Sequence, residues 1–161
     1  MINFSRIENN IFIGTAPQSE EDINTLKQEK ITSVLSLQSD SDLTNYRIDW
    51  KNLCSRYQYN DIAVQRFQII DFDENDLASN LMSPIKALDS MFNDGQTVYV
   101  HCNAGICRAP ATVLGYLCHY RGLTLEDGLA HIRKNRPQAN PYTRAISKAL
   151  AQLAEERRIV D

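Results

Sequence analysis

The sequence predicts an α/β fold: a single domain over residues 1–161 with a central, mainly parallel sheet flanked by helices. Three observations lead there. The length suits one domain with a sizeable core. Short β-branched runs alternate with longer stretches of helical spacing, the order of βα units. One apolar run, Thr97–Val100, enters a short glycine-containing loop and then a helix.

Each element has its own signal. Ile11-Phe12-Ile13 reads as an early strand ending at Gly14. Ser19 caps a helix over about 20–30 whose first turn is acidic. Thr32–Leu37 alternates as a strand does. Residues 38–46 are polar and read as a loop. Trp50, Leu53 and Tyr57 fall on one helical face. Ala63–Ile70 reads as a strand, followed by an acidic loop over Asp71–Asp76. Leu77–Phe92 has helical spacing and stops at the turn Asn93-Asp94-Gly95. After Thr97–Val100, Pro110 suits a first helical turn, and that helix runs to about Tyr120 before Gly122. Thr124 caps a helix to about Lys134, broken by Arg136-Pro137 and Pro141. A last helix covers about 142–157.

Composition narrows the function classes. Hydrophobic residues make up 43% and charged residues 23%, ordinary for a globular chain, and the net charge is −3. That balance gives no pull toward nucleic acid or an anionic membrane surface, and no apolar run could span a bilayer. The first residues lack a signal-peptide pattern. Four cysteines, Cys54, Cys102, Cys107 and Cys118, make neither a metal-ligand nor a disulfide framework. Reduced thiols, no metal, no cofactor and a cytoplasmic, bacterial setting are the expectation.

The chemistry concentrates in His101-Cys102-Asn103-Ala104-Gly105-Ile106-Cys107-Arg108-Ala109-Pro110. A buried strand running into such a loop and then a helix turns backbone N–H groups inward, and the helix dipole adds to them; both favour an anion. Arg108 can grip two phosphate oxygens at once. The same field favours a Cys102 thiolate: free thiols ionise near ~8.5, those at helix N-termini at roughly 3.5–7.5. A thiolate beside a bound phosphoryl group is a nucleophile in place. Cys107 shares the loop and reads as a small packing residue, with a redox-resolving role as the alternative. A general acid is also needed to protonate the leaving oxygen, and Asp71, Asp73 and Asp76 all lie in the acidic loop.

The string His-Cys, five residues, Arg resembles the signature loop of the cysteine-dependent protein tyrosine phosphatase superfamily. The order of elements resembles its dual-specificity branch over nearly the whole chain. The resemblance implies Cys102 as nucleophile and Arg108 as phosphate ligand. It implies Asp71 as general acid, with Asp73 as runner-up. It implies a phosphate or sulfate anion held by His101, Asn103, Ala104, Gly105, Ile106 and Cys107, with His101 orienting the loop and keeping the thiol acidic. The tyrosine-specific branch carries Trp-Pro-Asp at the acid, and this chain does not. Ala109 stands where many members have Ser or Thr, whose hydroxyl eases breakdown of the phosphocysteine. The loop has no lysine of the phosphoinositide-specific kind.

Asp71-Phe72-Asp73, Ser39-Asp40-Ser41-Asp42-Leu43, Asn103-Ala104-Gly105 and Arg-Ala-Pro are similar to the starch-excess and laforin-type glucan phosphatases. That likeness implies a phosphorylated glucan substrate whose sugars stack on Phe72 and Tyr46. Asn45 and Asn140 depart from it, standing where the starch enzymes have an aromatic. The alternatives are a phosphoprotein substrate and, in another class, a phospho-ligand binding module without turnover.

Overall fold

The computed structural model describes residues 1–160. It has five strands and eight helices, in the order β1 Phe4–Glu8, β2 Ile11–Gly14, α1 Glu20–Gln28, β3 Ser33–Ser36, α2 Asp40–Asn45, α3 Trp50–Tyr59, β4 Ala63–Arg66, α4 Glu74–Asn80, α5 Met82–Asn93, β5 Val98–His101, α6 Arg108–Arg121, α7 Leu125–Asn135 and α8 Thr143–Val160. The sheet order is β1-β2-β5-β3-β4. The pairs β2–β5, β5–β3 and β3–β4 are parallel, and only β1–β2 is antiparallel. The expected α/β class and mainly parallel sheet are thus observed.

Alternation along the strands sorts side chains onto two faces. Ile11, Ile13, Leu35, Val98 and Val100 enter the larger core with α4 to α8. Phe12, Val34 and Tyr99 enter the smaller one with Ile23, Leu26, Leu53 and Tyr57 of α1 and α3. Helix α6 lies deep in the larger core, buried from Arg108 to Leu117. The centre of the sheet is therefore covered on both faces, and the loops after its parallel strands gather at one edge, where ligands of open α/β sheets bind.

Four expectations need correction. The polar stretch 38–46 is not all loop: Ser39 accepts from the Asp42 N–H and the Asp42 side chain accepts from Ser39, a capping box that starts α2. The strand expected over Ala63–Ile70 stops at Arg66. Beyond it the chain stays bonded to the end of β3, Phe67 N–H donating to Ser36 and Ile69 N–H to Leu37. The helix expected over 77–92 is two helices. Pro84 has no N–H and is tolerated only in a first turn, so α4 ends at Asn80 and α5 begins at Met82. Strand β1 was not expected at all: Ser5 and Arg6 hide its pattern, and its pairing with β2 creates it.

Candidate active site

The loop between β5 and α6 is shaped from outside. His101 Nδ1 lies 2.8 Å from the Cys102 carbonyl oxygen, and as the N–H tautomer it donates there. Ala16 N–H donates to Asn103 O (3.1 Å) and Asn140 N–H to Ile106 O (2.7 Å). Arg136 Nη2 donates to Ala104 O (3.1 Å) and Arg136 Nε to Gly105 O (2.7 Å). Five successive carbonyls are thus pulled outward. The N–H groups of 103–107, which donate to nothing among the described residues, are left for the concave side. Gly105 has φ +67°, and a Cβ there would stand 2.6 Å from Gly14 O, so the loop needs glycine for both conformation and space.

Cys102 follows the end of β5 and is 3% exposed. Arg108 opens α6 and is 1% exposed. Its Nη1 donates to Asp42 Oδ2 at 2.6 Å, Ile69 O at 2.7 Å and Leu37 O at 3.3 Å. Its Nε and Nη2 are buried with no hydrogen-bond partner. Asp71 Oδ2 is 3.2 Å from Nη2, a charge contact too poorly aligned to satisfy that donor. Two parallel donors on one buried guanidinium edge match two oxygens of a phosphate. Unpaired buried donors are rare and cost free energy, so a ligand that fills them gains from both bonds.

Asp42 is the buried counter-charge. Besides Arg108, its carboxylate accepts from Asn103 Nδ2 (2.9 Å) and Ser39 N–H (2.9 Å). Burial pushes its carboxyl up, but the bonds from Arg108, Asn103 and Ser39 outweigh that and hold it below its ordinary range. Burial holds His101 down at about 4, so at neutral pH it is an uncharged donor that orients the loop and adds no positive charge beside Cys102. Burial likewise raises the Cys107 thiol, which caps α6 as a half-buried packing residue.

The three acidic-loop aspartates separate cleanly. Asp73 is the N-cap of α4 and accepts from Asp76 N–H (2.9 Å). Asp76 accepts from Ile70 N–H (2.7 Å) and from Asn80. Only Asp71 reaches the loop, with Oδ2 3.3 Å from Asn103 Nδ2 as well as near Arg108. Phe72 follows in the left-handed region, φ +59°, and is 87% exposed. Tyr46 is 50% exposed. Both line a groove of about 410 Å³ shared with Asp42, Asp71, Asn103 and Asn45. Neither is a core residue. Trp50 instead packs under Arg66, and Tyr57 is fully buried.

Sequence reasoning missed three contributors. Arg136 reads as a basic helix end, yet it is 1% exposed and grips two loop carbonyls, with Asn3 and Ser5 on its other nitrogen. Gln38 looked like the start of a loop, yet it is fully buried against Asn103. Asp42 carried a readable signal, the Ser-x-x-Asp spacing of a capping box, but its bond to Arg108 crosses 66 residues.

The family profile "Dual specificity phosphatase, catalytic domain" matches residues 11–155. The chain belongs to that family. It is 32% identical to "Phosphoglucan phosphatase DSP4, amyloplastic" of Castanea sativa, over 94% of this chain and 41% of that one. It is 30% identical to "Dual specificity protein phosphatase Mpk3" of Drosophila melanogaster, over 88% of this chain and 31% of that one. It is 26% identical to laforin of Mus musculus, over 96% of this chain and 50% of that one. The chain thus spans half or less of these relatives. In fold it is similar to PTPMT1 in complex with PI(5)P, with a TM-score of 0.77, 18% identity and coverage of 98% of this chain and 99% of that one. None of these relatives supports the bacterial setting expected from the sequence. No helix among the described residues is long and apolar enough to cross a membrane, and no group of three or more His, Cys, Asp or Glu there could hold a metal.

Proposed function

We propose that this dual-specificity phosphatase hydrolyses phosphate monoesters on glucan chains through a phosphocysteine at Cys102. The observation that carries the chemistry is the pair of buried, unpartnered donors on Arg108, at the end of a loop that opens with the buried Cys102 and whose carbonyls from 102 to 106 are all bonded from outside. In the reaction the phosphate rests on the 103–107 N–H groups and on Arg108 Nε and Nη2. The Cys102 thiolate attacks phosphorus, the bond to the leaving oxygen breaks, and protonated Asp71 gives that oxygen its proton. Asp71, now a carboxylate, takes a proton from water. The water oxygen attacks phosphorus, the P–S bond breaks, and inorganic phosphate leaves with Cys102 a thiolate again.

The glucan reading is supported by the exposure of Phe72 and Tyr46 on the groove beside the acid. An open apolar face next to a phosphate site suits the flat face of a sugar ring. The phosphoprotein reading is favoured by the likeness to Mpk3. Phosphate release by the native protein and Cys102→Ser, on phosphorylated glucan and on a phosphotyrosine peptide, decides between them. We expect Cys102-dependent release that favours glucan. Release favouring the peptide would make this a protein phosphatase, and release by Cys102→Ser would overturn the mechanism.

A further inference from the structure

The acid loop touches the cradle through few groups, and one of them is itself held from behind. Gln38 is fully buried at the end of β3. Its N–H donates to Ser36 Oγ (3.3 Å), its carbonyl accepts from Arg66 Nη1 (3.0 Å), and its Nε2 donates to Asn103 Oδ1 (2.9 Å). Asn103 Nδ2 in turn donates to Asp42 Oδ1 at 2.9 Å and Asp71 Oδ2 at 3.3 Å. These bonds allow one amide orientation. Turned over, Asn103 would set its oxygen against two carboxylates and its NH₂ against the NH₂ of Gln38.

We infer that Asn103, locked by Gln38, is the positioning residue that holds Asp71 over the cradle during turnover. The inference rests on Asp71 being the general acid. Without a ligand, Asp71 has two neighbours on the cradle, Asn103 Nδ2 and Arg108 Nη2. A phosphate oxygen that takes Arg108 Nη2 competes for the second. Asn103 Nδ2 is then the cradle donor left to Asp71. Gln38 leaves its own Oε1 buried and unpaired. Such an atom destabilises the fold. Its amide has one side-chain partner there, Asn103.

The test uses a series of aryl phosphates whose leaving phenols run from acidic to weakly acidic. Loss of a general acid shows mostly on the weakly acidic ones, because the others depart unprotonated. Gln38→Met keeps the shape and removes the unpaired oxygen, which offsets the lost bond to Asn103, so the melting temperature should change little. We expect its kcat to drop about tenfold more on the weakest leaving group than on the best, with Asn103→Ala showing the same slope more steeply. In an Asp71→Asn background, Gln38→Met should cost no more than about twofold. Equal losses across the series, or full additivity with Asp71→Asn, would mean that Gln38 and Asn103 only pack the loop, and the inference falls. Should Gln38→Met fold poorly, Asn103→Ala, which removes a half-exposed side chain, decides by the same slope. If Asp71→Asn itself shows no dependence on leaving group, the acid assignment fails first and takes this inference with it.

Discussion

The cradle and the acid loop lie side by side and are built on opposite plans. Residues 101–108 are clamped from outside by a buried arginine, a buried imidazole and two backbone amides, with glycine at the tightest approach. Residues 70–76 include no buried residue, are tied to their own helix by Asp73 and Asp76, and carry Phe72 exposed in a left-handed conformation. A site for a doubly charged anion must be rigid, because preorganised donors lose nothing to reorganisation when the ligand arrives. A proton donor must follow its leaving group, and strain with exposure is what a movable segment carries. Phe72 stands on the acid loop and shares its groove with Tyr46 at the end of α2, so under the proposed function substrate choice falls to that groove, while the cradle supplies chemistry common to any phosphate monoester.

The contrast sets the size of the expected effects. Arg136→Met strips two loop carbonyls of their donor inside the protein, which should lower unfolding free energy by roughly 2–5 kcal/mol and remove phosphate affinity with it. Denaturant titration and phosphate binding check both; an intact site would show that the cradle does not need its clamp. Asp71→Asn should leave stability nearly untouched and lower kcat by about 10²–10⁴ on weak leaving groups. The same pattern from Asp73→Asn would move the acid to the residue that caps α4.

His101 provides a pH test of the rigid side. Its proton is taken up near 6.5 in the unfolded chain but only at about 4 when folded. Its contribution is therefore complete above pH 6.5 and is lost as pH falls toward 4, about 3 kcal/mol in all. His101→Asn should flatten that limb of the stability profile; an unchanged limb would place the acid sensitivity elsewhere. The smallest effect belongs to Phe72. Phe72→Gly relieves the left-handed strain, about 1 kcal/mol, and should raise the melting temperature slightly. It also removes the apolar platform, so kcat/KM on phosphorylated glucan should fall roughly tenfold more than on a small aryl phosphate. Parallel losses on the two substrates would deny Phe72 any sugar contact.

Much of this was legible in one dimension. Strand and helix periodicity located β2, β3, β5 and the capped helices, because those signals depend on neighbours within a few residues. The run from His101 to Arg108 pointed to the proposed phosphate cradle for the same reason, since one loop holds the thiol, the glycine and the arginine. Among Asp71, Asp73 and Asp76 the residues alone left the choice open, and only the fold shows which one reaches Asn103 and Arg108. Tertiary structure likewise decided β1, which exists by pairing with β2, and the split of α4 from α5 into separately packed helices. It also decided the burial of Gln38, Asp42 and Arg136. Their polar side chains look like surface in a sequence, because burial of a polar group depends on a partner, and Asn103 for Gln38, Arg108 for Asp42 and Gly105 for Arg136 lie 31 to 66 residues away.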